Sequence, residues 1–120
     1  MEKINFEFYT RPNGHNEFIE YLNKLDQKSK AKLLAIIQKI STQGINIGIQ
    51  HNWVKIIDKN LYEIRSRTNN NQQRALYFHV ENNHYIITHG FTKKTRKTPK
   101  HEINHAKELR SEYLKNRKEL

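Results

Sequence analysis

The chain contains no cysteine. A disulfide scaffold and any cysteine-based zinc site are thereby excluded, and the absence is compatible with a reducing cytosol. Glycine and proline are sparse, four and two in 120 residues, and there is no linker, no repeat and no low-complexity tract. No segment approaches the roughly 18 consecutive apolar residues that span a bilayer, and the N-terminus lacks the apolar run of a signal peptide. Hydrophobic residues make up only 35%, so the core is thin and much of the surface is solvated. Acid is scarce as well: 12 Asp and Glu stand against 22 Lys and Arg, a formal charge of +10. That imbalance points to a polyanionic partner. A chain of this length fits one compact domain, expected here over 1–120 and in the cytoplasm. The last segment carries too sparse an apolar stripe for a membrane-surface role.

What is present is a change of period along the chain. Ile4-Asn5-Phe6-Glu7-Phe8-Tyr9 begins by alternating apolar and polar residues, the signature of a half-buried strand, and Arg11-Pro12-Asn13-Gly14 stops it. Phe18, Tyr21, Leu22 and Leu25 then recur at helical spacing. Asp26 can cap a second helix whose buried face is Leu33, Leu34, Ile36, Ile37 and Ile40, with Gly44 as its stop. From Trp53 onward the pattern is that of short strands: Val54 to Ile57, Leu61 to Thr68, Gln73 to Glu81 and Tyr85 to Phe91. The intervening turns are rich in asparagine, which tolerates positive φ. Thr98 suits the N-cap of a final helix, with Pro99 at its first position and Ile103, Ala106 and Tyr113 on its apolar side. The expectation is one α+β domain: a strand, a helical hairpin, an antiparallel β-meander and a C-terminal helix.

The densest chemistry lies where the last strand hands over to that helix. His89 to Pro99 carries Lys93, Lys94, Arg96 and Lys97 among three threonines and contains no acid. Between Lys93 and Leu120 there are ten Lys and Arg against four Glu, and Lys115, Arg117 and Lys118 are expected to help dock a polyanion. Upstream, Arg65 and Arg67 share a strand face with Leu61 and Glu63. A two-residue turn at Asn69-Asn70 would place Arg65 directly opposite Arg74. Facing like charges destabilise a ladder, and a phosphate gripped by both guanidiniums would make sense of them. On that account removing either arginine should leave the fold intact. The plainer alternative is that the arginines are solvated, or paired with Glu63 and Glu81.

These residues carry a resemblance. Leu-Tyr-Glu-Ile-Arg at 61–65, Arg-Ala-Leu-Tyr-Phe at 74–78 and His-Gly-Phe-Thr-Lys-Lys-Thr-Arg-Lys-Thr-Pro at 89–99, followed by Glu102, Ile103 and Ala106, resemble the HigB-type toxins of the RelE/ParE superfamily. The resemblance covers essentially the whole chain. It implies a RelE-like fold and a type II toxin that cleaves mRNA, often on the ribosome. It also implies a cognate helix-turn-helix (HigA-like) antitoxin. Such cleavage uses the substrate's own 2′-hydroxyl, and needs a base near it and charge stabilisation at the phosphorane. Arg65 and Arg74 are assigned to the phosphate, and Lys93, then Lys94, to the base, because neighbouring cations favour neutral lysine. Arg67, Arg96, Lys97 and Tyr113 are the further RNA-binding candidates; His89, His105 and Tyr113 remain open as acid or base.

His101 and His105 have the four-residue spacing of a two-ligand zinc edge, but no third ligand is indicated, and neither a metal nor another cofactor is expected. Trp53, the single tryptophan, is read as core, with base stacking as the alternative. Within the same superfamily a ParE-like gyrase poison would not need the Arg/Arg/Lys set. A non-catalytic RNA-binding module would hold phosphate without cleaving it.

Overall fold

Alternation at the start of the chain yields a short strand, β1 (Asn5–Phe8). The structure, a computed structural model, describes residues 3–94 and 97–118. Asn16 caps α1 (Glu17–Lys24), its side chain accepting from the Ile19 N–H at 3.1 Å. Asp26 caps α2 (Gln27–Gln43), accepting from the Ser29 N–H at 2.7 Å; each cap satisfies a donor that the first helical turn leaves open. Gly44 ends α2 at φ 98°, a conformation that a side chain would strain. The helical hairpin is thus the expected one, stop and cap included. A further short helix, α3 (Ile45–Gln50), was not expected, because six residues reading INIGIQ are too few for a helical period to register.

The meander follows as β2 (Val54–Asp58), β3 (Leu61–Thr68), β4 (Asn71–Glu81) and β5 (His84–Lys93). Asparagine occupies the positive-φ position of its turns, at Asn60 (46°), Asn69 (56°) and Asn82 (48°). The turn between β3 and β4 needs only Asn69 and Asn70, so β4 starts two residues earlier than the sequence pattern suggested. The sheet order is β1-β5-β4-β3-β2. Only β1 is parallel to its neighbour, pairing Asn5 with His84 through Phe8 with Ile87 on β5.

The two faces of this sheet are covered differently. Phe18 and Leu22 from α1 and Leu33, Ile36, Ile37 and Ile40 from α2 pack on Val54, Ile64, Ala75, Tyr77 and Ile87. On the other face α4 (Lys100–Lys118) sets Ala106 and Leu109 against Leu61, Leu76, Phe78, Ile86 and Phe91. The start of α4 differs from the expected capping. The Pro99 carbonyl accepts from the Glu102 and Ile103 N–H groups at 3.1 and 3.3 Å, so Pro99 holds the cap position. Thr98 instead gives its hydroxyl to Glu63. Among the described residues no helix is long and apolar enough to cross a membrane.

Gly90 fixes how closely α1 approaches β5. A Cβ there would stand 2.3 Å from Cδ2 of Tyr21, whose hydroxyl meets the Thr92 hydroxyl at 2.8 Å. Gly90→Ala should therefore destabilise the domain by about 1–3 kcal/mol, as overpacking does. The test is denaturant unfolding of the two single variants and of Gly90→Ala with Tyr21→Ala. The double variant should lose less than the sum, since removing the ring opens space for the methyl.

Candidate nucleic-acid interface

Antiparallel pairing of β3 with β4 places Arg65 opposite Arg74, with Arg67 opposite Gln72. On β5, Lys93 is the partner of Gln72. Alternation puts Arg65, Arg67, Gln72, Arg74 and Lys93 on the face that α4 covers further along. Where α4 has not yet begun, Arg65, Arg67, Gln72 and Arg74 line a pocket of about 370 Å³ with Ser66 and Asn52.

The centre of this cluster is a carboxylate. Glu63 is fully buried, and its Oε1 lies 3.4 Å from Arg74 Nε and 3.7 Å from Arg65 Nε. Its Oε2 accepts the Thr98 hydroxyl, and Lys93 Nζ donates to the same Thr98 oxygen at 3.5 Å. Arg74, 3% exposed, also donates to the Ser66 and Gln73 carbonyls at 3.2 and 3.0 Å and to the Gln72 side chain. The facing arginines are thus reconciled from below, by a shared anion in the sheet. Glu63 appeared in the sequence only as one possible partner. Its shared parity with Arg65 along β3 was the signal that placed it between the cations.

Burial pulls the Lys93 amine below its usual range, and the nearby Arg74, Arg65 and Lys55 act in the same direction against Glu63. Burial likewise lowers Arg74, although a guanidinium stays charged. Lys94, one residue on, is exposed at the bend that ends β5. Arg67 lines the pocket, and Lys97 lies exposed before the helix. Arg96 and the Lys118 side chain lie outside the described residues.

Other candidates are held elsewhere. Tyr113 packs edge-on against Tyr9 and Phe78 at ring distances of 5.7 Å, because the long α4 carries it to the far end of the sheet. His89 sits four residues before Lys93, roughly 13 Å along a strand. It contacts Glu102 at 3.2 Å, and its ring lies 4.8 Å from that of His105, which reaches Glu17 at 2.6 Å. Burial, reinforced by His105, pushes His89 below its ordinary pKa against Glu102. His101 faces Glu102 at 3.7 Å, and among the described residues no group of three or more potential ligands is placed to hold a metal. Several cations at the other end are committed as well. Lys107 pairs with Asp58 at 2.6 Å, Arg110 donates to the Lys59 and Asn60 carbonyls, and Arg117 pairs with Glu81. These contacts pin α4 across two turns of the meander.

A second concavity of about 410 Å³, lined by Arg11, His15, Glu17, Tyr21 and His89 among others, lies across β5. Its arginine is already spent: Arg11 holds Glu17 at 2.9 Å and Glu112 at 3.0 Å. Around Glu63, by contrast, Arg65 and Arg74 share a single carboxylate. Positive charge left over is what an incoming phosphate needs.

Residues 20–111 match the family described as Phage derived protein Gp49-like (DUF891). The chain belongs to this family. Gp49-like proteins are toxin-like and related to RelE, and the matched span includes Glu63, Arg65, Arg74, Lys93 and Thr98. No curated protein matches the chain.

The buried carboxylate changes the expected cost to the fold for Arg74, which is buried against it, more than for Arg65. Arg74→Ala strands Glu63 in the interior and should cost about 3 kcal/mol, the lower end for breaking a buried ion pair. Arg65, with its side chain 29% exposed, should cost under about 1 kcal/mol when replaced by Ala. Thermal melts of the two variants give the comparison; equal melting temperatures would contradict the role assigned to Glu63.

Proposed function

We propose that this Gp49-like domain is a HigB-type ribonuclease toxin of a type II toxin–antitoxin system. It cleaves mRNA in the cytoplasm, in association with the ribosome, and a cognate helix-turn-helix antitoxin neutralises it. The observation that carries the reading is the convergence of Arg65, Arg74 and Lys93 on one buried carboxylate at an open pocket. Family membership supports a toxin role in general. The charge left unneutralised suits a phosphodiester.

The chemistry follows from the positions. Arg65 and Arg74 grip the scissile phosphate and take up the charge that grows on its oxygens, already oriented by Glu63 and by the Ser66 and Gln73 carbonyls. Lys93, lowered toward its neutral form, exchanges its long Thr98 contact for the substrate's 2′-hydroxyl and accepts that proton. The 2′-oxygen bonds to phosphorus as the bond to the 5′-oxygen breaks, and the 5′-oxygen takes a proton from solvent. The products are a 2′,3′-cyclic phosphate and a free 5′-hydroxyl. Arg67 and Lys94, both exposed, hold the flanking backbone.

Expression without an antitoxin should arrest growth, with new mRNA 5′ ends appearing by primer extension within minutes. Intact mRNA with gyrase-dependent DNA breaks would assign the domain to ParE-like poisons instead. Arg65→Ala should lower single-turnover cleavage by on the order of 10²–10³, the usual loss on removing one preorganised charge donor.

The base makes a separate demand on pH. Cleavage should rise with pH through the lowered Lys93 pKa, because only the neutral amine accepts the 2′-proton. Lys93→Arg should flatten that rise while keeping the charge. A pH–rate profile unchanged by Lys93→Arg would remove Lys93 from the base role.

A further inference from the structure

The residue joining the pocket to the edge of the sheet is Asn52, and the two side chains beside it are aromatic. Asn52 lines the pocket with Arg65, Arg67 and Arg74, at a positive φ of 61°. On either side, the His51 and Trp53 rings are stacked, centroids 4.6 Å apart with planes 17° from parallel. Trp53 leans on the main core with its body half buried, whereas His51 is exposed. Lys39 Nζ stands 5.5 Å from the Trp53 ring centroid. The Trp53 carbonyl accepts the Arg65 N–H at 2.8 Å, which ties the pair to the pocket through backbone.

We propose that His51, backed by Trp53, is a stacking platform for a nucleobase of the RNA whose phosphate occupies the Arg65–Arg74 pocket. The proposal rests on the ribonuclease reading for its ligand and adds a site to it. A π-face open to solvent, flat against a second ring anchored in the core, is the arrangement that holds a base without reading its edge. Asn52, which lines the arginine pocket, is the chain neighbour of both rings, so an RNA strand with a phosphate among the arginines passes the platform at the edge of the sheet. Lys39 adds a cation beside the tryptophan, which favours the electron-rich face of the stack and the polyanion together.

Trp53 is the single tryptophan, so its fluorescence reports on this place alone. The experiment titrates the intact protein with a 2′-O-methyl oligoribonucleotide, which cannot be cleaved, and with a strand of equal length whose nucleotides lack bases. Binding is followed independently through a dye on each strand. The platform requires that both strands bind and that only the base-bearing one changes Trp53 emission. His51→Ala should weaken the base-bearing strand about fivefold or more, the lower end of what one stacked base contributes, and leave the abasic strand unchanged. Equal emission changes with both strands, or equal affinities of His51→Ala and the parent for the base-bearing strand, would overturn the platform while leaving the phosphate site standing. If neither strand binds, the ribonuclease reading fails and the platform fails with it. Arg65→Ala is the control, since it should weaken both strands alike.

Discussion

A carboxylate buried without solvent must be compensated by its neighbours, and Glu63 imposes that condition on this domain. Desolvating it costs several kcal/mol unless charged and hydrogen-bonding groups surround it. Arg74 from β4, Arg65 from its own strand and Thr98 from the approach to α4 meet the demand. Thr98 then holds Lys93 at the end of β5. One acid therefore positions three cations on three adjacent strands. It also anchors the entry to the C-terminal helix, which covers half of one sheet face. The fold and the proposed phosphate site thus draw on the same group.

The two charged concavities show how similar residues serve opposite ends. Across β5, Arg11 is clasped between Glu17 and Glu112, and His105 and His89 each find a carboxylate. Each of these side chains meets a carboxylate, and the cluster fastens α1, β5 and α4 together. Around Glu63 the count is unequal, and the surplus lies beside open space. Arginine next to glutamate is glue around Arg11, and around Glu63 it leaves positive charge that the proposed phosphate site uses.

Much of this was legible in the sequence. Asp26 and Gly44 marked the ends of α2 through local chemistry, and the asparagine turns fixed the β3–β4 register that sets Arg65 against Arg74. Those inferences depend on neighbours in the chain. The parts that escaped depend on residues far apart in it. Thr98 reads as a helix cap until the carboxylate 35 residues upstream claims its hydroxyl. Tyr113 reads as a site residue until the length of α4 carries it away. Trp53 packs against the core as expected, but its stack with His51 needed the positive-φ turn at Asn52. α3 was too short to leave a period.

The parallel pairing of β1 with β5 has a consequence in time. Asn5 finds its partner at His84, so the first strand made must wait for the last. At roughly 5–20 residues per second of synthesis, that wait lasts about 4–16 s. During that interval α1, α2 and the β2–β4 part of the sheet can form, but β1 has no neighbour and Lys93 has not been made. A chain cut short before β5 would carry the helical hairpin and the Arg65–Arg74 pair without Lys93 and without the strand that β1 joins.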